Sequence, residues 1–575
     1  MFTSKLKTLT AAVAWLAVAQ SASALTPWTD GAPPTANTIY VSGGAAADLA
    51  YAQVVNDVLA VPGSLHVFGD ASSATSTDFG GRWLVYYFTG SAATGALAGQ
   101  PIALVKRSLG AAGYGVIPVI SAIALEELDI SSLAAPGGGN TTVFDEPTTT
   151  PQTIATAAGN YRVVVNSANA STLLPLKQSD AGILGVDAKL LLRPGTKNYP
   201  VVVPRVGSGA DVFPTGISNV PANIAQVSTG GLVYGVGVTS DLYKVLQAAQ
   251  KRAGQLPAST AIGDYEHEGN IPSLPRNFIG SLLAGKIKLW DEVKIVDKQA
   301  GSPTLGQALA LTHPSIIADA GVSLPTTNAV SKVPVAVGNR NAGAAIGAIA
   351  YAKFLNYPWT TGAFAPPSPT NNAFDATSSP IIKDPGGSTA TGRLLNDWNQ
   401  GLNASGLNST AAAAGPAPKR WGVAINDATR NASGTVGVTP ETAGKQNWRY
   451  VRIDGYLPKI ENIASGGYPH WGEGVLLYNT NTIDPAKKTV LDALGNGLAS
   501  PSVGAGVNSS IVHTWGTTGV FAFTKNTSYT TDIPFNPNNP VVGYTHNNGA
   551  PLDEIVPVIS DSARANGVLL QGLPQ

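Results

Sequence analysis

Three segments far apart in the sequence constrain this chain most: Tyr40-Val41-Ser42-Gly43-Gly44-Ala45, Ser179-Asp180-Ala181-Gly182 and Arg340-Asn341-Ala342-Gly343. Each sets glycine or other small residues where an extended run is expected to give way to a helix. Ile39-Tyr40-Val41 reads as a short buried strand. Beyond Ser42-Gly43-Gly44, the stretch from Ala45 to Ala60 carries Leu49, Val54 and Val58 at helical spacing and stops at Pro62-Gly63. A strand–turn–helix unit buries its apolar faces only by joining a sheet covered with helices, which selects an α/β architecture. In such sheets the turns after the strands are the places where ligands are met.

The rest of the chain repeats the pattern. Trp83 to Phe88, Ile102 to Val105 and Tyr161 to Val165 read as strands, and Lys106-Arg107-Ser108 with Gly110, Gly113 and Gly115 forms a loop after the second of them. Gly231 to Val238 is a glycine-interleaved strand leading through Thr239-Ser240-Asp241 into a helix from Leu242 to about Ala253. Pro275 to Leu289 is a second helix, ended by Trp290-Asp291. Val333 to Val337 is a strand, and Ala344 to Leu355 the helix after the arginine turn. Pro136 to Gln152, Pro366 to Gly387 and Asn403 to Pro418 lack either periodicity and read as surface loops. The last hundred or so residues read as strand-rich, with Tyr450 to Asp454, Gly474 to Tyr478 and Val520 to Thr524 as strands.

Composition narrows the function classes. Lys plus Arg balance Asp plus Glu at 35 each and charged residues make up only 12%, so no basic field exists to hold nucleic acid. With no cysteine, the chain lacks disulfides, thiolate metal sites and thiol nucleophiles, and folding rests on the core. Lys5 and Lys7, the apolar run Leu9 to Val18 and Ala22-Ser23-Ala24 read as a signal peptide over residues 1–24. No other apolar stretch approaches the roughly 20 residues of a membrane span. A periplasmic or secreted protein is expected.

Catalytic signatures are weak. The segment Gly280 to Lys286 has phosphate-loop spacing, but Ile287 stands where a hydroxyl is required and the segment lies inside a helical pattern. The six histidines show no close metal spacing, and no nucleophile elbow is present. Tyr468, His470, Trp471 and Glu473 form a dense cluster that reads either as a packed aromatic turn or as a carbohydrate or catalytic site. No enzyme activity, cofactor or metal is expected.

Small residues at strand-to-helix turns let backbone N–H groups and the positive helix end converge on an anion. The candidate ligand-binding residues are therefore Ser42, Gly43, Gly44, Ala45, Ser179, Asp180, Arg340, Asn341 and Gly343. A helix cap is the commoner fate of a Ser-Asp pair such as Ser179-Asp180, and Arg340 reads equally as one half of an ion pair.

These segments, with Phe278 to Asp291 and Val335 to Ala344, resemble type 2 periplasmic binding proteins, in the branch of the phosphate-binding receptor of bacterial ABC importers. The resemblance implies a two-lobed α/β fold with parallel-rich mixed sheets. One lobe is expected over residues 25–239 with 456–575, the other over 240–455. It further implies a small-molecule anion in the cleft, held by the early turn, Asp180 and Arg340, and membrane subunits of an ABC transporter as partners. Ala46, Ala47, Ala344 and Ile346 stand where the family places hydroxyls. Each missing hydroxyl removes a hydrogen bond to a charged ligand worth about 1.5–3 kcal/mol. The alternative is a secreted or surface structural protein that keeps the binding fold without the ligand site.

Overall fold

The computed structural model describes residues 26–542 apart from 32–33, 77–78, 149–151, 193–195, 326–331, 341, 356, 358–366, 368–379, 403–417, 433–445, 512 and 524–535. The signal-peptide reading, Asn341 and the tail beyond 542 thus lie outside the described residues, as does most of the 366–387 and 403–418 loops.

The architecture is mixed α/β. One hydrogen-bonded path runs, in spatial order, through Ile381–Lys383, Val335–Gly338, Trp421–Asp427, Ile224–Thr239, Trp471–Asn479, Ala181–Leu184, Thr38–Gly43, Pro101–Arg107, Trp83–Thr89, His66–Ala71, Gly159–Val164 and Val143–Asp145. Thr38–Gly43 is parallel to both Pro101–Arg107 and Ala181–Leu184, and Val335–Gly338 is parallel to both of its neighbours. Ile39 and Val41 are fully buried on one face of the first strand. Burying each such side chain stabilises by about 1.5–3 kcal/mol, which fixes this strand in the centre of its sheet.

The long strand Ile224–Thr239 ties the path together. Its first half pairs with Trp471–Asn479, from Ile224 opposite Asn479 to Val233 opposite Trp471, with an irregularity between Ser228 and Gly231. Its second half pairs on one side with Trp421–Asp427 and on the other with Trp448–Ile453. The strand then enters the helix Ser240–Arg252, whose first turn carries Asp241 and whose last carries Lys251 and Arg252, the charge order that complements the helix dipole.

Four features depart from the sequence expectations. The helix begun at Pro275 ends at Leu283, because Ala284 leads into Gly285 at φ +65°, a left-handed position that breaks the helical ladder. The final region holds the helices Pro485–Leu498 and Pro501–Ser509 besides its strands. Val143–Asp145, inside a stretch read as loop, pairs with Gly159–Val164. Ala181–Leu184 is itself a strand, so the Ser-Asp segment leads into a strand rather than out of one.

Candidate functional site

The turn after the first strand is shaped by backbone crowding. Gly43 has φ +135°, and a Cβ there would lie 1.9 Å from the Ile183 carbonyl oxygen, so only glycine fits. The Gly44 N–H donates to that same oxygen at 3.2 Å. Beneath the turn lies Lys106, fully buried, whose ammonium donates to the Gly43 and Gly44 carbonyls at 3.3 Å each and to Ser108 Oγ at 2.8 Å. It also pairs with Asp48 at 3.3 Å, and Ser108 donates to the same carboxylate at 3.1 Å. Burial pulls the Lys106 ammonium down and pushes the Asp48 carboxyl up, and each charge opposes the other's shift.

From this turn a continuous helical run begins: a 3₁₀ turn Ala45–Ala47, an α-helix Asp48–Val54 and a π-helical turn Val55–Leu59. Gly44 precedes it and offers no side-chain cap, so the first N–H groups are not claimed by a capping oxygen.

Facing this helix start is a second turn, at the end of Trp421–Asp427. Asp427 Oδ1 accepts from Thr429 N at 2.9 Å, and the Arg430 N–H donates to the Asp427 carbonyl at 3.0 Å. Tyr450 Oη donates to the carbonyls of Asp427 and Arg430, at 2.8 and 3.0 Å, and His513 Nε2 lies 2.8 Å from the Ala428 oxygen. Arg430 Nε is buried and has no hydrogen-bond partner among the described residues. Burial pushes the Asp427 carboxyl up, opposed first by Arg430 and more weakly by Arg340.

Between the two turns lies a pocket of about 40 Å³, lined by Ala45, Ala46, Asp48 and Leu49 from the helix start, by Asp427, Thr429 and Arg430 from the second turn, and by Gly80, Gly81 and Gln152. On this measure one water needs about 10–15 Å³, so the space suits a solute of a few non-hydrogen atoms. The residues at the helix start, one arginine and two aspartates line it.

The residues singled out from sequence divide into those beside this pocket and those away from it. Ala45 lines it, with Gly43 and Gly44 immediately behind. Ser42 is fully buried and its Oγ has no partner among the described residues. Ser179 Oγ is likewise buried and unpartnered. Asp180 accepts from Tyr40 N at 2.9 Å and pairs with Lys487 at 3.1 Å, several residues upstream of the turn. Arg340 is buried. Its Nη2 donates to the Gly386 carbonyl at 2.8 Å and its Nε lies 3.9 Å from Asp384.

Gly343 reaches the early turn through an intermediary. Its carbonyl accepts from Gly113 N at 2.9 Å and its N–H donates to the Asn198 carbonyl at 3.1 Å, while Ala112 packs on Gly44. The early and arginine turns therefore approach one another with the backbone of 111–115 and of 198–200 between them. Thr429 and Arg430 were not anticipated. The signal was present, since Trp421 to Asp427 is a strand pattern ending in Asn-Asp-Ala-Thr-Arg, a turn with a cation one residue beyond a hydroxyl.

The cluster around Tyr468 is a packed core turn. His470 is fully buried and lies 4.9 Å from Phe354 and 5.7 Å from Tyr234, ring centre to ring centre, and Tyr468 Oη donates to the Tyr234 carbonyl at 2.6 Å. Burial pushes the His470 imidazole down to about 3.

No family model and no curated protein matches the chain. Among solved structures it is similar to a putative phosphate ABC transporter substrate-binding protein with bound phosphate from Clostridium perfringens, at 11% identity and TM-score 0.25 over 50% of this chain and 74% of that one. It is also similar to an ABC-type phosphate transport receptor from Vibrio cholerae, at 10% identity and TM-score 0.24 over 55% and 73%. A third is PstS from Borrelia burgdorferi, at 11% identity and TM-score 0.25 over 59% and 79%. These likenesses are distant. No helix among the described residues is long and apolar enough to cross a membrane.

Proposed function

We propose that this chain is an exported solute-binding protein that takes a small oxyanion into the pocket between the Ala45–Asp48 helix start and the Asp427–Arg430 turn. The observation that carries the reading is the facing of an uncapped helix start by a guanidinium whose Nε is buried and unpartnered. Both features are donors awaiting an acceptor, and a buried donor left unmet costs about 1–3 kcal/mol. Gly43, Gly44 and Ala45 shape the turn, Arg430 supplies the charge at the ligand, and Arg340 stands behind Asp427 as a second positive charge. The size of the pocket favours a phosphate-like ion over a sugar or peptide.

In this reading the halves on either side of the long strand are two lobes, 25–239 with 456–575 and 240–455, and an ABC transporter would be the partner that receives the solute. Calorimetric titration with phosphate, sulfate and small carboxylates tests it. At least one anion is expected to bind, and Arg430→Ala is expected to weaken that binding by about tenfold or more, the worth of one charge-assisted hydrogen bond. Absence of heat with every anion would overturn the reading.

A second reading, a structural protein that keeps the fold without a site, is favoured by one observation: the chain's own backbone at 111–115 and 198–200 fills the space between the early and arginine turns. It expects no anion to bind and Arg430→Ala to change nothing but stability.

A further inference from the structure

We infer that an anion entering this pocket is accompanied by one proton from solvent, taken up by the carboxyl pair Asp48 and Asp427. The inference rests on the anion-binding reading above and follows from the charges around the space. Asp48 faces Lys106 at 3.3 Å, with Ser108 donating to it and Tyr51 and Tyr86 behind. Asp427 faces Arg430 and Thr429, with Arg340 and Tyr234 at longer range and His513 on the neighbouring Ala428 carbonyl.

Lys106 answers Asp48. Lys106 is also acted on by Glu127 and Arg107, Arg430 is the cation that acts most strongly on Asp427 and also acts on Asp48, and Arg340 has Asp384 as its own neighbour. The empty pocket is thus close to electrically balanced. An anion drawing on Arg430 leaves Asp427 short of its cation, with both carboxyls at the same small space. Buried negative charges gathered around one small space resist all being ionised at once, and an unpaired buried charge is far costlier than a protonated carboxyl. Burial already pushes both carboxyls upward, and an added negative charge acts in the same direction. Asp48 and Asp427 are 8% and 3% exposed, which weakens the solvent screening that would otherwise absorb the imbalance.

The test is calorimetry of the full chain with sulfate, which stays doubly charged from about pH 5 to about pH 8, in pairs of buffers that differ in ionisation heat. Uptake of about one proton per sulfate is expected, with affinity falling by up to about tenfold per pH unit as pH rises. Phosphate is run beside it to separate protonation of the ligand from protonation of the protein. Asp427→Asn is expected to abolish the uptake and flatten the pH profile. Asp48→Asn is the second variant should the first not fold.

Sulfate binding with no proton taken up and no pH dependence would overturn the inference while leaving the anion reading intact. Binding of glycine in place of sulfate, its ammonium meeting the carboxyls, would overturn it as well. No heat with sulfate, phosphate or any small carboxylate would remove the anion reading itself.

Discussion

Lys353, on the helix Ala345–Leu355, holds its Nζ over the Trp471 ring at 4.8 Å with no hydrogen-bond partner among the described residues. Burial, with Arg276 nearby, pulls its pKa down to about 7. The folded chain therefore releases this proton at lower pH than the unfolded chain, whose lysine titrates near 10.4. Between those values the unfolded state binds more protons, so stability rises with pH through that window. Lys353→Met keeps the bulk and removes the charge. It is expected to stabilise the protein at pH 7 by on the order of 1–3 kcal/mol and to flatten the alkaline rise, read from urea unfolding at about pH 7 and about pH 9.5. His470 acts in the acid range by the same rule: with its pKa at about 3 against 6.5 unfolded, it adds stability that fades as pH falls through that interval.

The helix Pro485–Leu498 shows where local rules give way to packing. It carries Gly495 and Gly497 in its last turn, where each costs up to about 1 kcal/mol relative to alanine. By propensity Gly497→Ala should stabilise. A Cβ at Gly497 would, however, lie 2.6 Å from Val54 Cγ1 on the early helix. We expect the substitution to destabilise by about 1–3 kcal/mol, measured as a lowered urea midpoint at unchanged slope. The same glycines hid this helix, and its neighbour with Gly504 and Gly506, from a reading of the sequence. Strands rich in β-branched and aromatic residues with glycine turns, such as Thr38–Gly43 and the Gly231 to Val238 part of Ile224–Thr239, were legible because composition and period agreed, whereas the polar stretch Ala225 to Gly230 hid the first half of the long strand. The turn at Ser42 to Ala45 was legible for the same reason. Its opposite wall was not, because Asp427 and Arg430 come beside Asp48 only through pairing between strands remote in sequence, and no local pattern encodes that meeting.

For the whole molecule the long strand is decisive. Val236 to Val238 are flanked on both sides by other strands, and Ile224 to Val233 belong to a different set of neighbours, so neither set can be lost without exposing the other's edge. Equilibrium unfolding in urea is therefore expected to be a single transition, with tryptophan fluorescence and far-ultraviolet dichroism superimposing. Two separated transitions would mean that the two sets of strands fold independently. A consequence of another kind follows from the backbone contact behind the early turn, where a Cβ on Gly182 would sit 1.6 Å from the Gly115 carbonyl oxygen. Descendants of this chain are free to lengthen loops, trade ligands or lose the arginine turn. The codons for Gly43 and Gly182 have no such latitude, so ancestry should stay written there after every trace of solute preference has been erased.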